Sequence, residues 1–201
     1  GWLKGRTLRR RTGQQLYERI VAQARNPALY ARCGVPDTMD GRLEMLLLHT
    51  VLVLDRLRAE GVAGQRPGQQ LMERLVADVD DALRQIGLGD DSVSPRSKRL
   101  GSALAGRARD CRSSLDATTA GDHANAGYPS PLETKLIEHA YRTDPAAVAP
   151  DMLAEVRRLA RYIAATRAVL ARIPSREVLM GELMFPPVAP DCTARPEEGH
   201  A

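Results

Sequence analysis

Apolar positions recur at helical spacing along most of the chain, with little of the two-residue alternation that marks a half-buried strand. Leu16, Ile20, Val21 and Ala24 share a face of a first helix predicted over about Thr12 to Arg25, and Asn26-Pro27 opens a further short turn of helix. A second long helix is predicted from about Met39 to Glu60, and the glycine-rich stretch from Gly61 to Gly68 reads as the linker of a helical hairpin. Met72, Val76, Val79, Leu83 and Ile86 alternate in steps of four and three over about Pro67 to Ile86. They form one narrow stripe, and Gly87 and Gly89 then stop the helix. Further helices follow from Ser94-Pro95 to about Leu115, from Pro131 to about Tyr141 and from Pro150 to Arg172, with a short one near Glu177 to Met180. Thr118 to Ser130, small and polar, reads as a mobile loop.

The Met39 to Glu60 helix is apolar on most sides. Leu43, Leu46, Thr50, Leu54 and Leu57 make one face, and Leu47, Leu48, Val51, Leu52 and Val53 carry the apolar surface round. Such a helix belongs at the centre of a bundle. Arg42, Glu44, Asp55 and Arg56 bracket a run far short of the roughly 20 apolar residues a membrane span needs. Pro36 biases Val35 away from helical geometry, and Thr38 has the chemistry to cap the helix. Arg42, His49 and Arg56 are spaced to fall on one line of it, which is either the edge of a solvated groove or a polar seam for a partner. Asp80 and Arg84 stand at helical i,i+4 spacing on the margin of the next stripe, as a surface ion pair or as an inter-helix or partner contact.

Composition narrows the fold to all-α: a single compact bundle of about six to eight helices, since 201 residues suit one domain and aromatic residues make up only 3%. The basic opening segment, 1–11, is expected to be a flexible end, 12–186 the helical domain and 187–201 a flexible tail. Cys33, Cys111 and Cys192 are odd in number and lack a CxxC pair, which argues against a disulfide framework or a zinc ribbon. A net charge of +4 does not announce nucleic-acid binding without a clustered patch, although it fits residence near an acidic surface such as RNA or anionic lipid.

Catalytic chemistry is not visible. GxSxG and HExxH are missing, His49 has no ligand partner at i+4, and GLGDD follows a helix without the GxxxxGK pattern of a phosphate loop. The aspartates of DTMD, 37–40, and DVDD, 78–81, invite comparison with magnesium-dependent prenyl synthases, but they sit in a turn and on opposite helix faces and do not frame one diphosphate. An RNA- or ribosome-binding module would need converging arginines with stacking aromatics.

The strings IVAQARNPALY, CGVPDTMDGR and EMLLLHTVLVLDRL, then LMERLVADVDDALRQIGLGD, PRSKRLGSALAGR, LARYIAATRAVLARI and GELMFP, resemble the ubiquinol–cytochrome c chaperone family from about Leu16 to Pro186. Leu43 and Leu104-Ala105 depart from it, standing where the family tends to have aromatics. The resemblance implies a non-enzymatic assembly factor without a cofactor that recognises newly made cytochrome b and delivers it toward the bc1 complex. In mitochondria such factors work in the matrix with a small partner near the ribosomal exit tunnel; a bacterial member would work in the cytoplasm, peripherally at the inner membrane. Asp37, Asp40, Arg42, Glu44, His49, Asp80, Arg84, Asp90 and Arg107 lie in the matching motifs and are expected to include a partner-binding polar cluster around one groove. Buried in mutual pairs, they would specify the fold instead.

Overall fold

The computed structural model describes residues 2–85, 93–120 and 129–188. Its helices are α1 (Trp2–Ala24), α2 (Pro27–Cys33), α3 (Met39–Arg58), α4 (Val62–Gln85), α5 (Val93–Ala120), α6 (Pro131–His139), α7 (Pro150–Arg172) and α8 (Ser175–Met180), with a 3₁₀ turn at Pro145–Ala147. No strand occurs among the described residues. The fold is all-α, and α3 is its axis, touching α1, α4, α5, α6 and α7. Met45, Leu48, Leu52, Val53 and Leu57 of α3 are buried almost completely, as a helix apolar on most sides requires.

Local chemistry sets the helix starts. Thr38 has extended backbone and its hydroxyl accepts from Gly41 N at 3.2 Å, capping α3. Ser130 and Glu133 satisfy each other's backbone N–H groups in a capping box that opens α6. The far end of α3 is tied to α7 by Arg56, whose Nε and Nη2 donate to the carbonyls of Leu170 and Ile173 at 3.0 and 2.8 Å. Those carbonyls lie at the C-terminal end of α7, where a cation is favoured. Arg167 of α7 likewise reaches both Asp55 on α3 and Asp116 on α5.

Three elements differ from the pattern-based expectation. The helix α1 begins at Trp2 and takes in the basic opening segment, since its Leu, Lys and Arg residues are good helix formers. The stretch 61–68 is not a linker: α4 starts at Val62 and contains Pro67. The two helices join in a turn so close that a Cβ on Gly64 would lie 1.8 Å from the Leu57 carbonyl oxygen, and Pro67 so near the helix start forfeits only one backbone hydrogen bond. The stripe of α4 is also turned by one residue, because α4 packs against α1, α3 and α5 together. Leu71 and Leu75 are fully buried, whereas Met72 and Val76 flank them. The expected loop at 118–130 falls mostly outside the described residues, as do Gly87, Gly89 and most of the expected tail. Val188, within that tail, is buried.

Candidate functional site

An apolar groove opens where α1, α3 and α4 fail to close against one another. Val21, Leu43, Leu46, Val79 and Ala82 form its walls, and Tyr17 of α1 and Tyr30 of α2 border it. Its volume is about 240 Å³. That is below the roughly 300–1,000 Å³ of small-molecule sites, so it suits anchoring side chains better than a whole cofactor. The Tyr30 hydroxyl donates to Ala24 O at 2.7 Å, and Tyr17 is paired with Asp78, so the rings are left as apolar surface.

A tight turn sets the rim. A Cβ on Gly41 would lie 2.1 Å from Pro36 O, so only glycine lets the VPDT segment fold back over the first turn of α3. The following residue, Arg42, then meets Asp37 with Nε on Oδ1 at 2.6 Å and Nη2 on Oδ2 at 3.1 Å. This two-pronged contact holds the Asp37 carboxyl below its ordinary range. Across the groove, Asp78 is bound by Arg74 at 2.6 Å, and the Arg74 guanidinium stands 5.8 Å from the centre of the Tyr17 ring. Arg25, also on the rim, is exposed and meets no carboxylate among the described residues.

The other expected site residues are not gathered there. Glu44 of α3 is nearly buried and paired with Arg107 of α5, whose second nitrogen donates to His139 Nδ1 on α6. Since arginine only donates, the His139 proton is on Nε2 in the neutral ring. Burial, then Arg107, keeps the His139 pKa below its usual value, and burial outweighs Arg107 in pushing the Glu44 carboxyl up. Cys111 beside them has its thiol pushed up to about 12 by burial, which removes it as a nucleophile near neutral pH.

His49 is not part of a surface seam. It is 1% exposed, with Nδ1 at 2.7 Å from Met45 O and Nε2 at 2.8 Å from Tyr162 Oη. A carbonyl only accepts, so Nδ1 carries the proton and Tyr162 donates to Nε2, while Gln23 Nε2 donates to the Tyr162 oxygen at 2.8 Å. Phe185, from the GELMFP motif, meets the imidazole edge-on. Desolvation holds the ring's pKa down to about 4. Arg56 is nearly buried at the other end of α3 and Arg42 alone is exposed, so the line Arg42–His49–Arg56 is neither seam nor solvated edge. Its members are parted because helices wrap α3 over most of its length.

Asp80 is buried on α4 and pairs with Arg84, whereas Asp40 is exposed with Arg142 3.6 Å away. Asp90 lies outside the described residues. Asp37, Asp40, Asp78 and Asp80 thus each face an arginine of their own, and no group of His, Cys, Asp or Glu among the described residues is arranged to hold a metal.

A family model described as "Ubiquinol-cytochrome C chaperone" matches residues 31–185. The chain belongs to the ubiquinol–cytochrome c chaperone family. The matched span takes in the Gly41 turn, Arg42 and all of α3 to α8. The crystal structure of the Cbp3 homolog from Brucella abortus is similar throughout, at 29% identity and a TM-score of 0.76, covering 93% of this chain and 95% of that one. No curated protein matches the chain.

Sequence reasoning missed Tyr17, Tyr30 and Tyr162, each set with its ring in an apolar wall and its hydroxyl on a polar partner. The signal was present, for in a chain with few aromatics, tyrosines within apolar helices are candidates for that double role.

Proposed function

We propose that this protein is a non-enzymatic assembly chaperone that binds newly made cytochrome b and promotes assembly of the ubiquinol–cytochrome c reductase complex. The observation that carries this is the family match across α3 to α8, joined to a similarity that extends over nearly the whole Cbp3 homolog. The groove between α1, α3 and α4 supports it physically: it is apolar, has a charged rim and is sized for side-chain anchors, as helix-in-groove recognition requires. No described helix is long and apolar enough to cross a membrane. The role itself suggests peripheral contact at the inner membrane. A ribosome and a small co-chaperone are further partners that this role suggests.

Affinity capture of the tagged protein from native membranes tests the reading. Cytochrome b among the captured proteins is expected, and deleting the gene should lower assembled bc1 complex while other respiratory complexes persist. Capture of RNA without cytochrome b would replace the chaperone with an RNA-binding module.

A further inference from the structure

We infer that the groove between α1, α3 and α4 receives one face of an amphipathic helix of the client, and that Arg25 selects for a carboxylate beside that apolar face. The inference rests on the chaperone reading and adds which chemistry the groove recognises. Groove size sets the mode: about 240 Å³ holds a few aliphatic side chains from a helix lying across the opening. Wall chemistry sets the content, since Val21, Leu43, Leu46, Val79 and Ala82 offer nothing polar and the flanking tyrosine hydroxyls already have partners.

Rim charge sets the selectivity. Arg42 is matched by Asp37, and Asp78 by Arg74, so these four charges cancel in pairs. Arg25 remains as a cation that no described carboxylate neutralises, and among the described residues the rim carries a net positive charge where a bound helix would lay its polar edge. A guanidinium in that state is an open two-pronged receptor for a carboxylate, and it repels a lysine or arginine placed there. The occupant is therefore apolar toward the groove and acidic at the flank next to Arg25.

The test uses the full chain and three synthetic amphipathic helical peptides with leucines at i, i+4 and i+7, identical except for Glu, Gln or Lys at one flanking position. Fluorescence polarisation should order them Glu, Gln, Lys, with about tenfold between the extremes. R25E should invert the order. A82Q, which places a longer side chain into the groove from an exposed helical position, should weaken all three. Both positions are exposed, and thermal melts should show both variants folded. Equal binding of the three peptides, an order unmoved by R25E, or binding unaffected by A82Q would overturn the inference. So would peptide-blind protein that binds phosphatidylglycerol vesicles through Arg25, because the groove would then be a membrane contact. Cytochrome b capture by the unaltered chain reads the chaperone role separately; if both variants still capture it while the peptide order fails, only the groove assignment is lost.

Discussion

Tyr162 Oη donates to His49 Nε2 at 2.8 Å across the interface between α7 and α3, inside the apolar core. Because Gln23 of α1 donates to the same oxygen, one hydroxyl joins three helices. Tyr162→Phe removes it and leaves the imidazole nitrogen and the Gln23 amide without their partner. The expected cost is about 1–3 kcal/mol in urea unfolding, the penalty for a buried polar group left unsatisfied. A loss below about 0.5 kcal/mol would show that this network contributes nothing net.

Stability should also depend on pH through His49. Its folded pKa is held down to about 4, against roughly 6.5 in the unfolded chain, so the unfolded state binds more protons across that interval. The stabilisation is therefore complete above pH 6.5 and is lost as pH falls toward 4, by an amount on the order of 3 kcal/mol. Urea midpoints measured at intervals over this range should fall for the natural chain, and His49→Gln should flatten the slope. An unchanged slope in that variant would assign the titration to other groups.

Glu44 and Arg107 form a cross-helix pair with the carboxylate nearly buried and the guanidinium about one-third exposed. Arg107→Met alone strands the carboxylate and should cost about 1–3 kcal/mol, scaled down from a fully buried pair because solvent reaches the arginine. Adding Glu44→Leu should restore most of that loss, since an apolar pair of similar volume is commonly as stable as a buried ion pair. A double variant less stable than the single one would mean the pair is needed to fix the α3–α5–α6 packing.

The Asp37–Arg42 pair should behave differently. Both side chains are more than half exposed, so Arg42→Ala should leave the melting temperature unchanged while lowering cytochrome b capture if the groove rim engages the client. A variant that melts early and captures less would point to a structural role for Arg42.

Periodicity made the single elements legible. The helix predicted over Pro150 to Arg172 has those bounds, Thr38 caps α3, and the apolar girdle of α3 marks it as the axis. What periodicity cannot supply is which neighbour covers which face. His49 sits one residue from Leu48 on the same helix, and only the arrival of α7 and Phe185 makes it a core residue. Arg56 and Arg167 each reach across to another helix, contacts that exist only once α7 is placed. The groove is a gap among α1, α3 and α4, so nothing in any one of their sequences marks it. The expectation of one polar cluster failed for the same reason, since charges sharing a motif were divided among different interfaces.

The hook made by Arg56 has a mechanical consequence. A helix of the 20 residues in α3 is about 30 Å long, with Arg42 and Leu43 at the groove end and Arg56 clasping the end of α7 at the other. Fixed at its distal tip and wrapped by neighbours between, α3 is built as a splint: a load applied at its groove end would pass down a stiff rod into α7 instead of prying the bundle apart.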